Sequence, residues 1–300
     1  MNIYERKRGF SLIELMVAIG IMAVAAIVIY PALRCVSILI TKNTGMNYVH
    51  QEMRYGLSRL EQDLHLSVSN PQLLNGSGSV ISGTGPAAGV SFRIYAGGPY
   101  PLYVMPCPAG TTIPSTVTSI KIITGTTGTA ADYRPLVGQR IHIQALPTTI
   151  IEADITAVSN PPTFIPGIGT IYTLTFGSAL GTAIPVYPGG HGFPAAAMSV
   201  TCFLSTPVSY LVVPNGTNVQ LQRTCLADTA VLVPYLVTSP SPMTTTPFSI
   251  STVDGTSNPG FVSVSNFTGS NPTTSALNYN GILFWMNMQT PHWGQLSTNY

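Results

Sequence analysis

Gly9-Phe10-Ser11-Leu12-Ile13-Glu14-Leu15-Met16-Val17-Ala18 opens an apolar run that continues to Leu33, directly behind Glu5-Arg6-Lys7-Arg8. From Phe10 to Leu33 the one acidic side chain is Glu14. At about 1.5 Å per residue this run makes roughly 36 Å of helix, enough to cross a bilayer core. The three basic residues before it are expected to stay cytoplasmic, which places the rest of the chain outside. A carboxylate in such a span costs roughly 2.5–3.5 kcal/mol at mid-membrane and less near the interface. Glu14 therefore calls for a compensating partner. Ala23-Val24-Ala25 offers a small-residue cleavage site, but the apolar run continues past it through Ala26, Ile27, Val28 and Ile29. The span reads as retained.

Gly9-Phe10-Ser11-Leu12-Ile13-Glu14-Leu15 resembles the type III signal of type IV pilins and type II secretion pseudopilins. The resemblance implies cleavage by prepilin peptidase between Gly9 and Phe10, followed by N-methylation of Phe10 by the same peptidase/methyltransferase. It implies an assembly role for Glu14, whose carboxylate would pair with the new ammonium of a neighbouring subunit. Two opposite charges buried together cost far less than either alone. Glycine suits the scissile position because it lacks a Cβ that would obstruct the approach of a peptidase. Partners implied are other pilin or pseudopilin subunits and an inner-membrane assembly platform. The implied location is a single-pass inner-membrane anchor with a cytoplasmic N-terminus, then a pilus or a periplasmic pseudopilus.

Pro31 is expected to interrupt the helix, since it lacks an N–H and its ring meets the carbonyl of Ile27. It is similar to the helix-loosening proline of many type IV pilins, which makes it a candidate kink. Beyond it, Met46, Val49, Met53, Leu57, Leu60 and Leu64 recur at helical spacing and predict an amphipathic helix. Arg59 and Asp63 can pair at i,i+4, on the side read as polar. Pro71 bars continuation. The segment Arg54 to Leu64, with its Leu60-Glu61-Gln62-Asp63-Leu64 end, resembles the corresponding helix of larger minor pilins and J-type pseudopilins.

From Gln72 onward the period changes to two. Strands are predicted over Val90–Tyr95, Val117–Ile123, Leu136–Ile143, Ile150–Val158, Ile171–Phe176 and Met198–Leu204. Others are predicted over Val208–Val213, Asn218–Arg223, Ala230–Val237, Phe261–Phe267 and Gly281–Met288. Asn215-Gly216 between two of them predicts a hairpin. Leu136–Gly181 reads as an added piece of sheet. Tyr210 to Val213, Leu221-Gln222-Arg223 and Ala230–Val237 resemble a region of PilW-type minor pilins and J-type pseudopilins. The expected fold class is α+β: a long N-terminal transmembrane and amphipathic helix carrying a mostly antiparallel, pilin-like β domain. The expected divisions are a leader over 1–9, a membrane or filament-core helix over 10–33, an amphipathic helix over 34–70 and an exported β domain over 71–300.

Charge is sparse. Without its first nine residues the chain carries nine basic and nine acidic side chains, and only five of each lie beyond Asn70. Soluble domains are typically about 25% charged. A broad basic face for nucleic acid is therefore not expected, and so few ionisable groups predict stability that varies weakly with pH.

Four cysteines are present: Cys35, Cys107, Cys202 and Cys225. In an oxidising compartment one distal pair can bond, Cys202 with Cys225 or either with Cys107, or none. No Cys-x-x-Cys or His-Glu-x-x-His occurs, so no metal or cofactor is expected. His50, His65, His142, His191 and His292 are scattered. Glu152 and Asp154 would share one strand face, read as a solvated edge. No nucleophile elbow appears, and no catalysis is expected. The function expected is that of a minor pilin, a structural subunit of a type IV pilus acting at its tip or in initiation. The alternatives are a J-type minor pseudopilin of a type II secretion system and an adhesin-like module on a pilin stalk.

Overall fold

A computed structural model describes residues 11–97, 102–105, 112–124, 133–146, 149–166, 169–184, 200–215, 218–236, 246–252, 259–264 and 284–287. One helix, α1, runs from Leu12 to His65, about 81 Å at the usual rise. Ser11 caps it: its Oγ accepts the Glu14 N–H at 3.2 Å, and the Glu14 carboxylate accepts the Ser11 N–H at 2.9 Å. This reciprocal pair satisfies two amides that the helix start leaves open. The interruption expected at Pro31 does not end the helix, which continues unbroken through it. Proline there forfeits its own N–H bond, while the turns on either side keep theirs.

The candidate span of α1 is Leu12–Gly45, and its most apolar 18-residue stretch has a mean hydropathy of 2.8 and no residue buried within the chain. The last three turns differ. Met53, Leu57, Leu60 and Leu64 are all buried, as the helical spacing predicts, each stabilising by roughly 1.5–3 kcal/mol. The helix ends at His65, short of the expected Asn70, because the next residues already pair with sheet. Val68 N–H donates to the Arg93 carbonyl and Tyr95 N–H to the Leu66 carbonyl.

The strands are β1 Gln72–Leu74, β2 Val80–Ile81, β3 Gly89–Ala96, β4 Leu102–Val104, β5 Ser119–Thr124, β6 Arg140–Leu146, β7 Thr149–Val158 and β8 Thr163–Ile165. They continue as β9 Gly169–Phe176, β10 Val200–Asn215, β11 Asn218–Cys225, β12 Asp228–Leu236, β13 Phe248–Thr252, β14 Pro259–Val264 and β15 Phe284–Asn287. Every pairing among them is antiparallel. The chain is thus α+β, a long apolar N-terminal helix followed by a mostly antiparallel sheet domain, as expected.

β10 organises the sheet. Its C-terminal half lies between β3 and β11, with β12 beyond, and this part packs on the buried face of α1. Its N-terminal half lies between β4 and β6. From β4 the pairing runs through β5, β9, β7 and β6 back to β10, so six strands close into a small barrel. Ile122, Ile141, Ile143, Leu174 and Leu204 fill its interior with essentially no exposure. The expected insertion over Leu136–Gly181 is therefore part of a larger unit. β13, β14 and β15 form a separate small sheet, whose Phe248, Ile250, Val262 and Val264 join the core under α1.

Pro207 sits in the middle of β10 without breaking it. Opposite, Arg93 turns its N–H to Ser69 Oγ and its carbonyl to Val68, away from β10. Pro207 therefore directs its backbone to the other side, where its carbonyl accepts from Leu226 N–H. On that side pairing with β6 ends at Ser205 and pairing with β11 begins at Val208. The missing N–H falls in this gap and costs no ladder bond.

Candidate functional site

At the N-terminus, Gly9 and Phe10 lie outside the described residues, and the description begins at Ser11. Glu14 is exposed at the head of α1 and holds the Ser11 amide. Its charge also faces the positive end of the helix dipole, which favours it. Within a single chain, the partner of Glu14 is therefore the backbone of its own cap. Around and beyond it stretch exposed Leu12, Ile13, Met16, Val17 and their successors.

A second feature joins helix to sheet. Asp63, read from spacing as a residue of the polar side, is 1% exposed. Its Oδ2 accepts Arg223 Nε at 2.6 Å and the Tyr210 hydroxyl at 2.7 Å, and Arg59 Nε lies 3.6 Å from Oδ1. The i,i+4 pair with Arg59 forms as expected, but it is the weakest of the three contacts. Burial lowers the Arg223 pKa, yet the bond and charge of Asp63 lift it above the ordinary arginine range. Burial and the Asp63 bond both raise Tyr210. This polar knot fixes α1 on the strands β10 and β11.

A third cluster lies on the outside of the barrel. The β6–β7 hairpin places Arg140 opposite Asp154 and His142 opposite Glu152. Arg140 donates from Nε and Nη2 to Asp154 at 2.7 and 2.8 Å and from Nη1 to Glu152 at 3.2 Å. Those bonds hold the Asp154 carboxyl below its usual range. Glu152 and Asp154 do share one face, but they are ion-paired and not merely a solvated edge. His142 is buried, with Nδ1 3.0 Å from Glu152 and Nε2 2.7 Å from Ser205 Oγ. Burial pushes its imidazole down to about 4, so it is neutral at ordinary pH. Its ring stacks on Phe203 at 4.4 Å, and Phe203 stacks on Tyr95 at 6.2 Å.

Ser205, His142 and Glu152 have the order and spacing of an acyl-transfer relay. The surroundings give them another role. Ser205 is 0% exposed, and its oxygen already receives Arg93 Nε at 3.2 Å. No carbonyl substrate reaches that oxygen without parting β3 from β10. The relay is a buried hydrogen-bond chain that ties the barrel to β3 and β10. Alternating Arg140/His142 and Glu152/Asp154 carried the signal for it, visible once the two segments are set as a hairpin.

Of the pairings left open, Cys202 with Cys225 does not form: both thiols are free. Cys225 stands opposite Val208, and Cys202 lies six residues away along the same strand, about 20 Å. A disulfide tolerates about 7 Å between Cα atoms. The alternative partner Cys107 lies outside the described residues, as do His191 and His292. Burial pushes the Cys202 thiol far up. Among the described residues no three His, Cys, Asp or Glu side chains gather as a metal site.

Comparison with known proteins adds one match. No curated protein and no solved structure matches the chain. Residues 5–30 match the family model described as the prokaryotic N-terminal methylation motif. That match, together with one N-terminal apolar helix that fits a single-pass anchor, supports a type IV pilin-like prepilin, which implies processing by prepilin peptidase and assembly with other pilin subunits.

Proposed function

We propose that this chain is a minor pilin: a structural subunit cut between Gly9 and Phe10, N-methylated on Phe10, and built into a type IV pilus at its tip or during initiation. One observation carries the reading. The most apolar stretch of α1 lies in the part of the chain that carries the methylation motif, and it finds no cover within its own chain. A bilayer covers such a surface before assembly, and the helices of other subunits cover it afterwards. The distal domain supports minor over major, because a barrel added to the helix-backed sheet would crowd a filament made only of such subunits. Glu14 supplies register, by exchanging the Ser11 amide for the Phe10 ammonium of a neighbour. The chain then divides into 1–9, 10–33, 34–70 and 71–300, with the helix of the third division ending at His65.

The test is Glu14→Val, read as the ratio of subunit in sheared filaments to subunit in the inner membrane at matched expression. Intact-mass analysis of the N-terminus accompanies it. Wild-type chain should begin at methylated Phe10, and the variant should be processed alike but fall out of the filament fraction. A start at Met1 or Ala26 would overturn the processing step. An unchanged ratio would remove Glu14 as the assembly determinant.

A further inference from the structure

On the face of the sheet turned away from α1, a cleft of about 330 Å³ opens between the segment Ser69–Asn70 that follows α1, the barrel and the central strands. Its floor is a row. Gln72 on β1 stands opposite Ser91 on β3, Ser91 opposite Ser209 on β10, and Ser209 opposite Thr224 on β11. Four adjacent strands thus present uncharged hydrogen-bonding side chains in one line, at the usual strand spacing of about 4.8 Å. Ser91, Ser209 and Thr224 are half-buried. Among the described residues, the hydroxyls of Ser91 and Ser209 and the amide of Gln72 make no hydrogen bond to protein. Polar groups so placed gain from any partner that brings matching donors and acceptors.

Arg93 and Arg140 close one end of the cleft. Arg140 takes both oxygens of Asp154 and one of Glu152. Arg93 is left with Nη2 at 3.3 Å from Asp154 and 3.4 Å from the Gly138 carbonyl, while its Nη1 makes no bond among the described residues. Its side chain is 16% exposed. Burial and the Arg140 charge depress its pKa, against the opposing pull of Asp154 and Glu152. A planar guanidinium in that condition favours a carboxylate.

We propose that the cleft is a saccharide subsite for a carboxylated sugar, its carboxylate on Arg93 and its hydroxyls along the row of Gln72, Ser91, Ser209 and Thr224. Strand spacing is close to the length of one hexose in a chain, so successive sugar rings meet successive strands. A free anion would use Arg93 alone; a neutral sugar would use the row alone. The ligand that uses both is an acidic glycan. This inference needs no filament, and binding would survive in a chain that does not assemble.

The experiment is calorimetric titration of the full chain in detergent with trigalacturonate, with maltotriose and inorganic phosphate as separate arms. Trigalacturonate should bind at least about tenfold more tightly than either, the discrimination expected of one charge-assisted hydrogen bond. Ser209→Val, a substitution suited to a strand, should weaken trigalacturonate about tenfold and leave phosphate unaffected. Arg93→Gln should erase the preference for the acid over maltotriose; a melting curve checks that it folds. Glu14→Val should bind as wild type. Absence of trigalacturonate binding at millimolar concentration would overturn the proposal. So would binding indifferent to Ser209→Val, or phosphate binding as tightly as the sugar.

Discussion

Asp63 shows how far a single side chain can depart from its local reading. Its helical neighbours make it look solvent-facing, and Arg59 at i,i+4 supports that view. Its decisive partners, Tyr210 and Arg223, arrive 147 and 160 residues later. Only pairing of β10 with β11 brings them together, so no window of sequence around Asp63 reveals them. Removing one member of a buried ion pair typically costs about 3–5 kcal/mol, because the other is left uncompensated. Asp63→Asn should therefore lower the unfolding free energy of the distal domain by about 3 kcal/mol, since Arg223 keeps some solvent contact. Chemical denaturation read by tryptophan-independent circular dichroism measures this. A loss under about 1 kcal/mol would mean that the knot is held by Tyr210 and packing.

Among the elements, those with long, regular patterns were legible. The apolar span, the buried stripe from Met53 to Leu64 and the hairpin ending at Asn215 follow directly from spacing. β1, β2, β4 and β8 escape a sequence reading because two or three residues cannot display a period, and the five residues of β13 escape it as well. β10 is predicted as two strands, Met198–Leu204 and Val208–Val213, with Pro207 in the gap, and the harmlessness of that proline depends on which side β6 and β11 occupy. Barrel closure is a non-local event of the same kind. The helix–sheet contact carries a further signal in Gly56. A Cβ there would sit 2.8 Å from Val233 Cγ2, a stiff β-branched side chain. In an open helix Gly→Ala stabilises by about 1 kcal/mol. Overpacking costs about 1–3 kcal/mol. Gly56→Ala should therefore destabilise by roughly 1 kcal/mol, and a raised melting temperature would show that α1 can lift off β12 freely.

For the molecule as a whole, sparse charge argued for stability indifferent to pH, and His142 alters that expectation. The unfolded imidazole titrates near 6.5 and the folded one near 4, so between these values the unfolded chain holds more protons. Stability is therefore full above about pH 6.5 and falls as pH drops through about 4, by on the order of 2 kcal/mol. Asp154, held low by Arg140, adds a loss in the same direction at still lower pH. Melts of the full chain at pH 7.5 and 4.5 should differ, and His142→Gln should flatten the difference; an equal drop in both would assign it elsewhere. β10 has a consequence of another sort, in time. The barrel strands β4 to β9 precede it in the chain, and so do α1 and β3, yet the barrel closes only on β10, and the core under α1 needs β10 and the strands after it. As the chain is completed, some two hundred residues wait for one strand to arrive, and its arrival closes the barrel and lays the base of the second core.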